Sequence, residues 1–323
     1  MPPRFGAHMS IAVGVDLAVE RAVIVGCEAL QLFTKSSNQW KARPLRDDEV
    51  ARFREGVDRH GLDPVIAHDS YLINVGSPDD ALWRKSLDAL AEEYARCEAL
   101  GIAYLVMHPG AHVGSGEQAA VERIARAVDE VLAAHRRGRT MILLENTAGQ
   151  GTVLGHRFEQ LAQIRKRARG RRRIGYCLDT QHAFAAGWDL SQAEGYEQWV
   201  GDIEGVLGLA NVRALHLNDS KSDCGSRVDR HEHIGLGRIG PAAFWRLAND
   251  PRFDGLPASI ETEKGDDCAE DFENLAVLRA MVGRKRAPTA AQLDRIRVRA
   301  RERAKKAAPL LAELSRASRR RRA

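Results

Sequence analysis

The stretch AYLVMHPGAHVGSGEQAAVERIARAVDEVLAAHRRGRTMILLEN, residues 103–146, decides the fold class. It begins with a short apolar run that ends at His108 and closes with a second run that reaches Glu145. Between them, residues 117–138 repeat apolar side chains at spacings of three and four, which predicts an amphipathic helix. A strand, a helix and a second strand in this order are typical of a parallel sheet.

The same alternation recurs along most of the chain. The predicted strands are RFGAHM (4–9), EALQLF (28–33), PVIAH (64–68), AYLVMH (103–108), TMILLEN (140–146), IGYCLD (174–179), RALHLND (213–219) and PASIET (257–262). Gly101 and Gly138 follow two of the predicted helices, and glycine is favoured just after a helix C-terminus. Eight strand–helix units predict an α/β fold, a (β/α)8 TIM barrel over residues 1–283, with a doubly wound open sheet as the alternative.

Charge divides the chain into two parts. Residues 284–323 contain fifteen Lys/Arg and three Asp/Glu, a net charge of +12, whereas 34 basic and 41 acidic residues give residues 1–283 a net charge of −7. This Ala/Arg-rich tail predicts a helix near 289–306 outside the barrel and disorder towards its end. A strongly basic segment favours contact with nucleic acid or another polyanion.

Other features of the sequence bear on the cellular compartment. The chain contains no apolar run of 18 residues, and its N-terminus, MPPRFGAHMS, lacks the regions of an export signal. The five cysteines are odd in number and form no Cys-x-x-Cys pair, which favours a reducing compartment over a disulfide framework. We therefore expect a cytoplasmic protein with no membrane partner.

Side chains of the kind that bind metals end most of the predicted strands, where a barrel of this type has its active site. In chain order they are His8, His68, His108, Glu145, Asp179, His216 and Glu261. The loop after the sixth strand adds His182, and the polar stretch HLNDSKSDCGSRVDRHEHIG (216–235) adds Asp219, Asp223, Asp229, His231 and His233. Taken singly, such residues are usually hydrogen-bonded histidines or helix-capping carboxylates. Their coincidence at one end of one fold predicts a metal centre.

The composition of this ligand set limits the chemistry. Histidine and carboxylate ligands without thiolate suit Zn²⁺, Mn²⁺ or Fe, and so many of them imply two or three ions. Closely spaced ions favour hydrolysis of a phosphate ester. A two-metal sugar isomerase in a similar barrel is the alternative that the chemistry alone leaves open.

One glycine-rich motif has the form of a nucleotide-binding fingerprint but lies in the wrong sequence context. GLGRIG (235–240) matches the dinucleotide fingerprint G-x-G-x-x-G. That fingerprint binds a pyrophosphate only when it follows the first strand of a βαβ unit, and here it follows a polar loop. Nucleotide binding is therefore not expected.

Several runs resemble the endonuclease IV family of zinc-dependent apurinic/apyrimidinic endonucleases. They are GAHMS (6–10), LQLFTKSSNQW (30–40), AHDSYLINVGSP (67–78), VMHPGAHVGSG (106–116), ILLENTAGQGT (142–152), CLDTQHAFAAGWDL (177–190), HLNDSKSDCGSRVDRHEHIGLGRIG (216–240) and IETEKG (260–265). The resemblance covers residues 1–283 in family order and leaves the basic tail outside.

The resemblance implies three zinc ions and assigns their ligands. The first ion would bind His68 and His108, the second Asp179, His216 and Glu261, and the third His182, Asp229 and His231. Glu145 would bridge the first two ions, and Glu145 and Glu261 would be the catalytic carboxylates. His112 and His233 would support the site from outside.

The resemblance also implies the reaction. We expect a monomer that hydrolyses the phosphodiester bond 5′ to an abasic site in double-stranded DNA, leaving a 3′-hydroxyl and a 5′-deoxyribose phosphate. Removal of blocking groups from 3′ ends would be a further activity. A sugar isomerase or epimerase of the xylose isomerase type and a non-catalytic DNA-binding protein are the alternatives.

Recognition of damage in the family uses loop side chains that enter the duplex while the abasic sugar is flipped out. The matching positions are Tyr71, Asn38 and Gln39. Relatives have arginine where this chain has Asn38, and the shorter, neutral side chain fills the base stack less well. The departure predicts weaker binding of abasic sites, for which the basic tail could compensate.

Overall fold

The computed structural model describes residues 1–322, and side chains for residues 1–316. The strands are β1 Arg4–Met9, β2 Ala29–Phe33, β3 Val65–His68, β4 Tyr104–Met107, β5 Met141–Glu145, β6 Ile174–Asp179, β7 Val212–His216, β8 Asp219–Ser220, β9 His231–Glu232 and β10 Pro257–Ile260. β8 and β9 form a small antiparallel ribbon in the loop that follows β7.

The other eight strands close into a barrel. Their order is β1-β10-β7-β6-β5-β4-β3-β2, and β1 pairs with both β10 and β2. All of these pairs are parallel. The predicted TIM barrel is therefore confirmed, and the alternative of an open sheet is excluded because β1 closes the ring.

Helices surround the barrel. Their bounds are α1 Val15–Val25, α2 Asp47–His60, α3 Asp80–Leu100, α4 Glu117–Ala134, α5 Phe158–Arg167, α6 Thr180–Ala186, α7 Ala193–Asp202, α8 Pro241–Ala248, α9 Ala269–Met281 and α10 Ala290–Arg322. Short 3-10 turns lie at Arg171–Arg173, Leu209–Asn211 and Pro251–Phe253, and a π-helical segment at Ile203–Leu207. None of the helices in the described part is long and apolar enough to cross a membrane.

The inside of the barrel is layered. Alternate residues of a strand point to opposite faces, so residues two apart point the same way. One fully buried apolar cluster takes a single residue from each of five consecutive strands: Ile66, Val106, Leu143, Cys177 and Ala214. Two residues after each of these five positions, in the same order, come His68, His108, Glu145, Asp179 and His216. The apolar layer is thus the floor on which the polar layer stands.

α10 is attached to the outside of the barrel along its buried face. Leu293, Ala300, Ala304 and Leu311 are buried, and the helix packs mainly against α9. It begins one residue after the predicted start at 289 and continues to Arg322, beyond the predicted end near 306.

Candidate metal centre

Glu145, at the end of β5, is the centre of the polar layer. Its carboxylate lies 3.0 Å from Nε2 of His68, 3.2 Å from Nε2 of His108, 2.8 Å from Nδ1 of His216 and 3.4 Å from Nδ1 of His182. The side chain of Glu145 is 1% exposed. One buried anion is therefore surrounded by imidazoles from four elements of the barrel.

The ligand-type atoms form three overlapping groups in the described chain. Within each group these atoms lie within 4.8 Å of one another, close enough to hold a metal ion. The groups are His68–His108–Glu145, Glu145–Asp179–His216–Glu261 and Asp179–His182–His231. The first two share Glu145, and the second and third share Asp179.

Asp229, which the resemblance assigns to the third ion with His182 and His231, also lies there. Its carboxylate oxygens are 3.3 Å from Nε2 of His182 and 3.3 Å from Nε2 of His231. The carboxylate of Asp179 is further from these two rings, at 4.0 Å from His182 Nδ1 and 3.9 Å from His231 Nε2. Asp229 therefore fits the third group better than Asp179 does.

Hydrogen bonds fix which nitrogen of several rings is left to bind a metal. His68 Nδ1 donates to the carbonyl of Asp69 at 2.9 Å, and His182 Nδ1 donates to the carbonyl of Asn146 at 2.8 Å. His216 Nε2 donates to Oε1 of Gln31 at 2.7 Å. In each neutral ring the other nitrogen carries a lone pair and faces a carboxylate. Two lone pairs in contact require a cation between them, either a proton or a metal ion.

The chemistry of this set fits metal ions. Nε2 of His231 is buried and, although Asp229 Oδ1 lies 3.3 Å away, it forms no hydrogen bond within the described chain. Metal-binding imidazoles usually donate their second nitrogen to a carbonyl or a carboxylate, as His68 and His182 do here. Zinc, with its preference for nitrogen and carboxylate oxygen, would satisfy the lone pairs that now face one another.

The electrostatics point in the same direction. Burial acts to raise the pKa of Glu145, but the imidazoles of His216 and His108 outweigh it and hold the pKa well below its usual range. Burial acts to lower the pKa of His68, but the hydrogen bond to Glu145 and the negative charges of Glu145, Asp69 and Glu261 together outweigh it and raise the pKa to about 9. Glu145 thus remains anionic and attracts positive charge strongly.

Polar residues that the sequence reasoning missed orient the carboxylates. Asn218 Nδ2 donates to Asp179 Oδ2 at 2.6 Å and lies 3.4 Å from Glu261 Oε2, and its Oδ1 accepts from the backbone N–H of Glu261 at 2.8 Å. Gln31 Nε2 donates to Glu261 and to Nδ1 of His8. Gln31 could have been identified from the sequence, because it is a polar residue inside the buried strand ALQLF.

The remaining candidate histidines lie outside the three groups. His8 contacts Gln31 and stands 3.7 Å from Glu261. His112 Nδ1 accepts from the backbone N–H groups of Gly114 and Gly116, and His233 Nδ1 accepts from Asn274. These rings hold loops and neighbouring side chains in place.

The carboxylate of Asp219 binds the backbone of the GLGRIG turn. In a dinucleotide-binding fold, the backbone of such a motif would bind a phosphate instead. The Asp219 carboxylate accepts hydrogen bonds from the backbone N–H groups of Gly235, Gly237, Ile239 and Gly240. A Cβ at Gly237 would lie 2.5 Å from Asp219 Oδ1, so only glycine fits there. These hydrogen bonds fold the end of the loop back. His231 lies in β9, and Asp229 lies two residues before it in the segment that connects β8 and β9.

The predicted DNA-contacting residues stand on two loops at the same end of the barrel. Tyr71 is 65% exposed, and its ring centroid lies 5.9 Å from that of His68 and 6.4 Å from that of His108. Asn38 and Gln39 are exposed on the loop after β2.

Buried contacts tie these two loops together. Ser70 Oγ donates to the carbonyl of Ser37, and its backbone N–H donates to Glu93, which forms a buried ion pair with Lys35 at 3.1 Å. The exposed tips of both loops are therefore anchored from beneath.

Comparisons with known proteins decide the family. A family model described as xylose isomerase-like TIM barrel matches residues 19–281. A Chloroflexus aurantiacus protein named probable endonuclease 4 is 52% identical over 280 residues, which are 87% of this chain and 98% of the relative. A Geobacter sulfurreducens protein of the same name is 48% identical over 87% of this chain and 95% of its own.

A solved structure agrees. The crystal structure of endonuclease IV from Thermus thermophilus has a TM-score of 0.77 and 38% identity, and the match covers 86% of this chain and 98% of that one. This chain belongs to the endonuclease IV family. A D-tagatose 3-epimerase-like protein has a TM-score of 0.66 at 18% identity over 86% of this chain and 98% of its own, a likeness that shows the barrel fold alone.

The hydrogen bonds of Asp219 predict that its carboxylate stabilises this loop in the endonuclease IV family member. Asp219→Asn would turn one acceptor oxygen into an N–H donor that faces backbone N–H groups. We expect a loss of about 2–3 kcal/mol in the free energy of unfolding, the cost of buried hydrogen-bonding groups left without partners. Denaturant unfolding measures this loss, and hydrogen exchange at Gly235 and Gly237 should become faster.

Asp223→Asn is the matched control. Asp223 lies in the same loop, but its side chain is 81% exposed and pairs only with Arg238 at 3.4 Å in the described chain. It should change neither stability nor exchange. Equal effects of the two substitutions would contradict the structural role of Asp219.

Proposed function

We propose that the chain is a metal-dependent DNA-repair endonuclease that hydrolyses the phosphodiester bond 5′ to abasic sites in double-stranded DNA. The products would be a 3′-hydroxyl and a 5′-deoxyribose phosphate, and blocked 3′ ends would be processed at the same site. One observation carries the proposal: two groups of metal-ligand atoms share Glu145, and a third adjoins them at Asp179. Adjacent metal ions suit the attacking and leaving oxygens of a displacement at phosphorus.

Three Zn²⁺ ions per chain would fill these groups, and the same ligands would accept Mn²⁺ or Fe at some positions. In this proposal the ligands are His68, His108 and Glu145 for the first ion, Glu145, Asp179, His216 and Glu261 for the second, and His182, Asp229 and His231 for the third. Bound ions would lower the pKa of a coordinated water and stabilise negative charge on phosphoryl oxygens.

Glu145 and Glu261 are the catalytic carboxylates of the proposal. Burial acts to raise the pKa of Glu261, but the nearby imidazoles, first that of His216, outweigh it and hold the pKa far below its usual value. Gln31 and Asn218 hold the oxygens of Glu261 from two sides. An anionic, oriented carboxylate at this position can hold cationic charge against the scissile phosphate without rearrangement during the reaction.

Tyr71 suits recognition of an abasic site. It is a large aromatic side chain that stands exposed beside the rings of His68 and His108. Flipping a nucleotide that has no base costs little stacking energy, and aromatic rings stack on bases of any sequence. We propose that Tyr71, with Asn38 and Gln39, fills the gap that the flipped sugar leaves. Since every residue of the site comes from one chain, a monomer would suffice.

Cleavage of a duplex that contains one tetrahydrofuran abasic analogue tests the function. The analogue has no aldehyde and cannot undergo elimination, so a nick requires hydrolysis. We expect a nick on its 5′ side, with a 3′ end that a DNA polymerase extends, and loss of activity after treatment with a strong chelator. The same duplex without the analogue is the control. An intact analogue strand, or a nick whose 3′ end cannot be extended, would rule the proposal out.

Glu145→Gln tests the shared carboxylate. An amide offers one acceptor oxygen and carries no charge, so it cannot bridge two cations as a carboxylate does. We expect the rate of nicking to fall at least ~10²-fold, the range seen when one charge-stabilising group is removed from an active site. Steady-state and single-turnover rates on the analogue duplex measure the loss.

Glu263→Gln is the matched control for this substitution. Glu263 lies two residues beyond Glu261 in the sequence, is 87% exposed and contacts Lys221. It should keep the wild-type rate, and both variants should keep the wild-type fold, as circular dichroism would show. A Glu145→Gln protein that nicks at nearly the wild-type rate would exclude the bridging role.

A further inference from the structure

α10 lies outside the region that the family shares, and yet it is fastened beside the candidate metal centre. The family model ends at residue 281, and α10 begins at Ala290. Arg297, which is buried, donates a hydrogen bond to the carbonyl of Ile234 at 2.6 Å. Ile234 follows His231 by three residues in the loop at the mouth of the barrel.

A second contact places the helix at the same end of the barrel. Arg301 pairs with Glu273, which lies in the second turn of α9, just after the carboxyl end of β10. The strand ends that carry the metal-ligand side chains lie at this end as well. α10 is therefore a fixed element at the rim of the barrel mouth.

The outward face of α10 is a basic stripe, formed by Arg295, Arg299, Arg303 and Lys306. All four residues are exposed. Their spacing of four, four and three residues keeps them on one side of the helix over about 17 Å, at 1.5 Å per residue. None of the four forms an ion pair within the described part of the chain, although Arg301 and Lys305 nearby do. The positive charge of the stripe is thus free for a partner.

The charge of the rest of the molecule makes this stripe significant. Residues 1–283 contain 41 acidic and 34 basic residues, so the barrel as a whole repels a polyanion. A nucleic-acid duplex carries about one negative charge per 1.7 Å of its axis, and cations that contact its phosphates release bound counterions. The stripe would supply favourable charge at the end of the barrel where the mouth would receive DNA.

We propose that the basic stripe of α10 binds the phosphate backbone of duplex DNA beside the damaged site. The contact would be independent of sequence and of damage, because phosphates carry no base information. It would add affinity where Asn38, exposed on the loop after β2, contributes no charge. The proposal depends on the proposed function in one respect, namely that the duplex lies across the barrel mouth.

The test removes the four charges and keeps the helix. Deletion of α10 would uncover the surface against which Leu293, Ala300, Ala304 and Leu311 pack, so substitution is the cleaner change. The variant is Arg295→Gln, Arg299→Gln, Arg303→Gln and Lys306→Gln in the full chain. Glutamine is a good helix former, and these side chains are exposed.

A second basic surface offers a control of equal charge. Arg136, Arg137, Arg167 and Arg172 are exposed and form no ion pair in the described chain. They lie just before β5 and β6, at the opposite end of the barrel. The control variant replaces all four by glutamine and so loses the same charge far from the mouth.

Binding to an intact duplex and to the abasic-analogue duplex is measured over a salt series. We expect the slope of log affinity against log salt to shrink by about 2–4 in the stripe variant on both duplexes, since each phosphate contact contributes about 0.9. The control variant should keep the wild-type slope. Unchanged slopes in the stripe variant, equal changes in both variants, or a change confined to abasic DNA would each overturn the proposal.

Nicking at saturating protein separates this proposal from the proposed function. If the wild type nicks the analogue duplex, the stripe variant should do so at the same saturated rate, because only binding has changed. A wild type that does not nick would refute the endonuclease, while the salt slopes on the intact duplex would still decide whether the stripe binds DNA.

Discussion

The site depends on one electrostatic constraint: several carboxylates are buried together, and imidazoles and the neutral side-chain amides of Gln31 and Asn218 face them. Glu145, Asp179 and Glu261 lie in one layer, and Glu145 and Asp179 are almost fully buried. A buried charge without a partner is far too costly to retain in a folded protein. Positive charge must therefore enter this layer, and the hydrogen bonds that fix the rings leave lone pairs directed at the place where it would sit.

The barrel makes that layer possible. Because alternate residues of a strand share a face, the apolar floor formed by Ile66, Val106, Leu143, Cys177 and Ala214 fixes where the next inward residues stand. Each of those next residues is a histidine or a carboxylate, so a single register aligns side chains that could bind metal from the ends of five strands. The third group needs loops as well, and there Asp219 takes the place of a bound anion and shapes the glycine-rich turn.

Much of the fold and of the candidate site could be predicted from the sequence. Strand periodicity is a local pattern, and a TIM barrel has its active site at the carboxyl ends of its strands. The strands 4–9 and 174–179 match their predicted bounds. The predicted helix end at Gly138 was wrong, since α4 ends at Ala134. Gly138 instead lies where a side chain would meet Arg173 and Glu98. Asn218 and the course of α10 were not predictable, because their roles arise from contacts between elements distant in the sequence.

The central proposal is that three metal ions would bind at this carboxylate layer, and anomalous X-ray diffraction tests it most directly. Crystals of protein purified without chelator would be measured on both sides of the zinc absorption edge. The account predicts three anomalous peaks at the mouth, two of them on either side of Glu145 and one between His182 and His231. One or two peaks at full occupancy, or a peak away from these side chains, would contradict it.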